Sequence, residues 1–155
     1  MYKLAILAVS LLFLNSCTSD VEIPNQQLTE SDIMGEWHLV RTFGQIPNSE
    51  RIGNEMHWQE FYTLRADGTF TKKRVQDGET FFAEGTYILN DYENAEGQSN
   101  DFLISMIYPS ENALIGSCYM GSLKEELWFR TEEIMASTWH HCDGPGLEYE
   151  KKKEN

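Results

Sequence analysis

Apolar and polar side chains alternate along most of this 155-residue chain, and this period of two constrains the fold more than any other feature. In the run 35–43, for example, Trp37, Leu39 and Phe43 share one face. Successive side chains of a strand point to opposite sides, so the pattern predicts a strand with one buried face. Comparable runs predict further strands over 57–65, 70–75, 80–89, 101–108, 113–120, 125–130, 133–140 and 147–153.

The segments between these runs carry turn signals and no long helical pattern. Asp67-Gly68 and Asp77-Gly78 are Asp-Gly pairs of the kind that close tight hairpins. Gly85 inside a strand pattern predicts a bulge or bend. Eight or nine short strands of this kind predict an all-β fold, an antiparallel up-and-down barrel of about eight strands.

Two local features refine this fold. Thr29 and Asp32 form an imperfect capping box, which predicts one helical turn just before the first strand. The run 70–75 carries Lys72, Lys73 and Arg74, and we interpret it as a basic outer strand. The polar segments 44–56 and 90–100 are predicted to be long loops.

The first 17 residues predict export and attachment to a membrane. Lys3 precedes an apolar run that ends at Leu14, too short for a transmembrane helix, which needs roughly 20 apolar residues. Leu14-Asn15-Ser16-Cys17 resembles the lipobox of bacterial lipoproteins. That resemblance implies cleavage before Cys17 and acylation of its thiol and new amine with chains such as palmitate. The alternative is a buried cysteine in an N-terminal helix, but the run lacks an amphipathic pattern and a capped end.

These observations divide the chain into a signal peptide (1–16), a lipid-anchored linker (17–28) and one barrel domain (29–155). The predicted location is the cell envelope, with the acyl chains holding the protein to the outer membrane on its periplasmic or surface side. The formal charge of −13 disfavours nucleic acid and anionic headgroups as partners, so the acyl chains are the predicted membrane contact.

Two further cysteines remain in the predicted mature chain. Cys118 and Cys142 form an even pair, and exported compartments are oxidising, so a disulfide is predicted. The alternative is two reduced, buried thiols.

Gly35-x-Trp37, which follows the helical turn and opens the first strand, resembles the start of lipocalins and of the wider calycin group. The phrase 65–70, the later Gly85-Thr86-Tyr87 and the segment 142–151 are similar to hairpins of bacterial lipocalin-like lipoproteins. The resemblance implies that Trp37 closes one end of a barrel and that Gly35 allows close approach there. The family usually places an Arg over this Trp, and this chain offers Lys151 to Lys153 instead.

The sequence shows no motif of catalysis or of phosphate binding, so we predict no enzymatic activity, no catalytic residue and no cofactor. His140-His141-Cys142-Asp143 is the densest group of possible metal ligands. Adjacent strand residues point to opposite faces, which favours polar residues at a strand end over a metal site.

The aromatic residues on the strand patterns are compatible with a ligand pocket or with simple core packing. An eight-stranded barrel has room for its own side chains or for one small ligand. The inward-facing candidates for ligand binding are Tyr62, Phe81, Tyr87, Phe102 and Met120. No buried cation is evident from the sequence, so the expected ligand is neutral and lipophilic.

Two functions therefore stand as hypotheses. The first is a lipid-anchored barrel that binds a small lipophilic molecule. The alternative is a protein-interaction module, an accessory subunit or inhibitor of an exported enzyme, with a filled barrel and functional loops. A hollow interior favours the first hypothesis and a solid one favours the second.

Overall fold

A closed antiparallel barrel of eight strands is the architecture of the computed structural model, which describes residues 28–92 and 101–153. The predicted fold class is confirmed. The strands are β1 (Gly35–Phe43), β2 (Arg51–Ile52), β3 (Gln59–Leu64), β4 (Thr69–Gln76), β5 (Glu79–Tyr92), β6 (Asp101–Ile107), β7 (Lys124–Thr131), β8 (Ile134–Ser137) and β9 (Gly146–Lys151). The predicted signal peptide, Cys17 and nearly all of the linker lie outside the described residues.

The barrel follows the chain in order and closes on itself. Neighbouring strands pair in the order β1, β3, β4, β5, β6, β7, β8, β9, and β9 pairs again with β1. The short β2 is an additional strand that pairs with the C-terminal part of β1, at Arg41 and Thr42. Closure satisfies the backbone groups that an open sheet would expose at its two edges. In the described part of the chain, no helix is long and apolar enough to cross a membrane.

One barrel end is covered by α1 (Glu30–Ile33) and Trp37, and we call it the Trp37 end. The predicted helical turn is present, and the Asp32 carboxylate accepts a hydrogen bond from the Thr29 backbone N–H at 2.8 Å. Trp37 is fully buried, and its indole N–H donates to the Ile33 carbonyl at 2.9 Å.

Gly35 and Lys151 complete this end. Gly35 has a φ of +119°, a region that residues with a Cβ rarely adopt. The Lys151 Nζ lies 6.0 Å from the centre of the Trp37 ring. Leu28, placed in the linker by the sequence, is buried in the core.

The segment 113–120, predicted to be a strand, is instead a loop. The strands on either side of it, β6 and β7, pair directly with each other, so no sheet edge remains for another strand there. Leu114 is buried and Ile115 partly buried at the opposite end of the barrel rather than on a sheet face. We call residues 109–123 the plug loop.

Gly85 has a packing role and does not form a bulge. The β4–β5 register runs without a shift through the pair Phe70 and Gly85. A Cβ at Gly85 would lie 2.0 Å from the Ile107 carbonyl oxygen and 2.8 Å from the Phe70 ring. Glycine is therefore required because two neighbours approach its Cα closely.

Candidate functional site

The five residues predicted to line a ligand pocket do not form one cluster. Tyr62 and Tyr87 are buried in the core, and Phe102 packs against it. The inward orientation predicted for Phe81 and Met120 is wrong, because their exposed fractions are 44% and 104%. Met120 lies in the plug loop rather than on a strand, and Phe81 lies near the start of β5, where the barrel ends.

Lys72 occupies the barrel interior instead of an outer face, which corrects the interpretation of 70–75 as a basic outer strand. Its exposed fraction is 0%. The Nζ atom lies 3.0 Å from Glu60 Oε1 and 3.0 Å from both carboxylate oxygens of Glu125. Both glutamates are also fully buried. The expectation that no buried cation is present is therefore wrong as well.

Three tyrosines and one arginine complete the hydrogen bonding of these two carboxylates. The Tyr62 and Tyr108 hydroxyls donate to Glu125 Oε2 at 2.8 and 2.7 Å. The Tyr149 hydroxyl donates to Glu60 Oε1 at 2.6 Å, and Arg74 Nε donates to Glu60 Oε2 at 2.6 Å. The polar core cluster consists of Glu60, Tyr62, Lys72, Arg74, Tyr108, Glu125 and Tyr149.

The polar core cluster balances its own charge. Its two carboxylates face two cations, Lys72 and Arg74. Burial acts to raise the pKa of Glu60, but the charges of Lys72 and Arg74 outweigh it and leave that pKa below its ordinary value. Buried ions are tolerated when they are paired and hydrogen-bonded in this way.

The three tyrosines are held neutral. Burial, followed by the nearby Glu125 charge, raises the pKa values of Tyr62 and Tyr108 well above the ordinary range. Burial and the Glu60 charge have the same effect on the pKa of Tyr149. Each hydroxyl therefore remains a donor to a carboxylate.

Aromatic packing fills the space around the polar core cluster. The Tyr62 and Tyr149 rings lie 5.2 Å apart, and the Phe70 and Tyr108 rings lie 5.0 Å apart. These are ordinary edge-to-face contacts of a packed core. The interior around Lys72 is thus occupied by the protein's own side chains.

The plug loop covers the barrel end opposite Trp37, which we call the disulfide end. The Leu114 carbonyl accepts a hydrogen bond from Lys72 Nζ at 2.7 Å, so the loop contacts the polar core cluster directly. Gly116 lies against the Trp139 ring, where an added Cβ would be 2.9 Å from a ring carbon. The predicted disulfide between Cys118 and Cys142 is confirmed, with a Cα–Cα distance of 5.5 Å.

The histidine-rich segment 139–142 forms a 3₁₀ turn at the disulfide end. The His140 and His141 rings pack 4.2 Å apart, and the backbone carbonyl of His140 accepts a hydrogen bond from Gln45 at 2.6 Å. Within residues 28–92 and 101–153, no three His, Cys, Asp or Glu side chains are grouped to hold a metal ion.

The outer surface of the disulfide end is acidic and carries exposed apolar side chains. It is built by the loops 44–58, 76–79, 109–123 and 138–146, which we call the disulfide-end face. Arg51 is the one lysine or arginine in these loops, and it donates to backbone carbonyls of the same loop. The exposed acids are Glu50, Glu55, Asp77, Glu79, Glu111 and Asp143. Of these acids, Glu50 pairs with Arg41 at 3.2 Å.

Five large apolar side chains are exposed on the disulfide-end face: Ile46, Ile52, Tyr119, Met120 and Leu123. A groove of about 450 Å³ runs beside the disulfide, and Cys118, Tyr119 and His141 lie along it. At the Trp37 end, by contrast, Lys152 pairs with Glu36 at 2.8 Å and Lys153 pairs with Glu133 at 3.1 Å.

The polar core cluster was not predicted, although a signal for it exists in the sequence. Glu60 is in phase with Tyr62, and Lys72 is in phase with Phe70, so each shares the face of a core residue. Glu125 is likewise in phase with Leu127 on β7. Their place in the same alternating pattern as core residues of those strands would have identified these charged side chains as buried.

No protein-family model matches this sequence, and no curated protein matches it.

Proposed function

We propose that this chain is a lipid-anchored cell-envelope lipoprotein whose filled barrel acts as a scaffold, and that its disulfide-end face binds a basic surface of a partner protein. The observation that carries this proposal is the position of Lys72. Its ammonium group lies inside the barrel, bound to two carboxylates and to the plug loop. An interior occupied in this way favours an interaction module over a carrier of a small lipophilic molecule.

The position of the tether supports an outward-facing disulfide end. Leu28 packs in the core just before α1, and α1 covers the Trp37 end. The proposed linker from Cys17 therefore joins the barrel at that end, and a chain of the length of residues 17–27 can span at most about 40 Å. The Trp37 end then faces the outer membrane, and the disulfide-end face points away from it. The Trp37 closure also supports the proposed relation to lipocalin-like lipoproteins.

The acidic charge of the disulfide-end face indicates that its partner presents a basic surface. Six exposed acids share these loops with the five exposed apolar side chains, and Arg51 is the one lysine or arginine in the loops that carry them. Interfaces commonly combine apolar anchors with a charged rim that steers the partner. A partner with lysine and arginine around an apolar centre fits this face.

Site-specific photo-crosslinking in the source cell tests the partner-binding proposal. A benzoylphenylalanine in place of Met120 should form a covalent adduct with a protein whose crosslinked surface is basic. The same probe in place of Ile88, a half-exposed residue on the outer wall of β5, is the matched control and should form no such adduct. Glu111→Gln with Asp143→Asn should weaken the Met120 adduct because both acids lie on the same face.

Equal adducts from both positions, or none from Met120, would count against partner binding at this face.

A separate measurement tests whether the barrel interior binds a small molecule. Titration of delipidated protein with neutral and acidic lipophiles, followed by tryptophan fluorescence, should give no saturable change. A saturable one-to-one response would restore the small-ligand hypothesis.

The anchor has its own prediction. Cys17→Ala should move the protein out of the membrane fraction or leave an uncleaved precursor, because the proposed acyl chains can no longer be attached. Cys118→Ala, which retains Cys17, is the control and should stay in the membrane fraction. Unchanged partitioning and unchanged mature mass for Cys17→Ala would contradict the lipoprotein proposal.

A further inference from the structure

The plug loop is attached to the barrel covalently by the disulfide and by a set of noncovalent contacts. Leu114 is buried and its carbonyl accepts the Lys72 hydrogen bond, Ile115 packs against the core, and Gly116 packs on Trp139. The Tyr108 backbone N–H donates to the Leu123 carbonyl at the base of the loop, next to the point where the loop meets β6 and β7. The other backbone bonds of the loop are local turns, such as Ile115 to Asn112.

The disulfide is accessible from solvent. Cys118 and Cys142 are both exposed, and the groove of about 450 Å³ runs beside them. Cys118 is followed directly by Tyr119 and Met120, two of the exposed apolar side chains of the disulfide-end face. The bridge therefore sets the position of the apolar residues that the proposed function assigns to partner binding.

We propose that the Cys118–Cys142 bridge is a redox-controlled latch: its reduction releases the plug loop and abolishes partner binding at the disulfide-end face. This inference rests on the proposed function and adds its regulation. The co-reactant is a dithiol reductant. One of its thiolates attacks a sulfur of the bridge, the Cys118–Cys142 bond breaks and a mixed disulfide forms. The second thiol of the reductant resolves it, so two electrons and two protons pass to the cysteines and the reductant becomes a disulfide.

The barrel is expected to remain closed after reduction. Its eight strands are joined by backbone ladders that include no residue between 109 and 123. The β8–β9 pairing, which flanks Cys142, also forms its own ladder between 134–136 and 148–150. Reduction should therefore change the plug loop and leave the sheet intact.

Hydrogen–deuterium exchange of the full mature protein tests the release step. Oxidised protein is compared with the same protein in dithiothreitol, the dithiol probe. Exchange of the hydrogen-bonded amides of Leu114, Ile115 and Ser122 in this loop should accelerate by about 100-fold, the order of effect that removal of a native disulfide has on an opening equilibrium. Exchange in β3 and β4 should change little. The variant C118S/C142S should show the fast exchange without dithiothreitol and no response to it.

Unchanged exchange in 110–122 after complete reduction would overturn the latch, as would fast exchange throughout the barrel. Reduction of folded wild-type protein gives the answer even if C118S/C142S does not fold.

The Met120 photo-crosslink tests the regulatory step in the cell. Combining it with C118S/C142S should remove the adduct. An adduct that persists would overturn the regulation while the proposed function stands. If the adduct is missing even when the bridge is intact, both the proposed function and its regulation are contradicted. The exchange measurement then still decides whether the bridge holds the plug loop.

Discussion

Lys72 points into the barrel because it lies in phase with Phe70 on β4. Its neighbour Lys73 takes the opposite face, where its Nζ lies 4.7 Å from the centre of the Phe61 ring. Two adjacent lysines of identical chemistry thus have opposite environments. Burial of Lys72 is possible because Glu60 and Glu125 meet it from β3 and β7.

Lys72→Met should lower the free energy of unfolding by about 3–5 kcal/mol, because it leaves two buried carboxylates with one cation fewer. Lys73→Met is the matched control, and it should cost about 1 kcal/mol or less because a cation–π contact between partly exposed side chains is weak. Urea unfolding of both variants provides the measurement. Adding Glu125→Gln to Lys72→Met should recover part of the loss, since the uncompensated charge is then removed.

If Lys72→Met and Lys73→Met cost the same, the inward position of Lys72 would be contradicted. If Glu125→Gln worsened the Lys72→Met variant by its full single-mutant cost, the two residues would not be coupled.

At the scale of elements, α1 and the start of β1 together cover the Trp37 end. The helix has a single turn and cannot be stable alone. It is held by burial of Ile33, whose carbonyl receives the Trp37 indole N–H. The Phe129 ring packs on Trp37 with centres 5.3 Å apart.

Trp37→Ala should cost about 3–5 kcal/mol of unfolding free energy, as large-to-small changes in a core do. Trp37→Phe keeps much of the apolar volume but removes the indole N–H, which adds the loss of one hydrogen bond, about 1 kcal/mol. Phe82→Ala, at a side chain that is 71% exposed, serves as the control and should be nearly neutral. Chemical denaturation ranks the three variants. A Trp37→Ala effect no larger than that of Phe82→Ala would show that the residue does not close the barrel.

At the scale of the whole molecule, the polar core cluster limits the pH range of stability on both sides. The folded-state pKa of Glu60 lies below its ordinary value of 4.5, so the unfolded chain takes up the proton first as pH falls. The tyrosine pKa values lie above 10.0, so the unfolded chain loses those protons first as pH rises.

The free energy of unfolding should therefore be greatest between about pH 5 and pH 10 and decline outside this range. The acid loss begins as pH falls below 4.5 and continues through the folded pKa of Glu60. The alkaline loss begins as pH rises through 10.0, and it reflects Tyr62, Tyr108 and Tyr149 together. Denaturant titrations across pH provide the test. Tyr149→Phe should reduce the alkaline slope, and an unchanged slope would contradict the burial of that hydroxyl.

The sequence by itself determined the fold class, the helical turn at Thr29 to Asp32 and the pairing of Cys118 with Cys142. These features follow from the sequence pattern: alternation sets strand faces, Asp-Gly pairs set hairpins, and one bridge is possible between the two cysteines that remain when Cys17 is assigned to the predicted lipobox. Only the tertiary structure decided what occupies the interior. Glu60, Lys72 and Glu125 are distant in sequence, and their charges become tolerable only when barrel closure brings them together. The segment 113–120, expected to be a strand, is the plug loop because β6 and β7 on either side of it pair directly with each other.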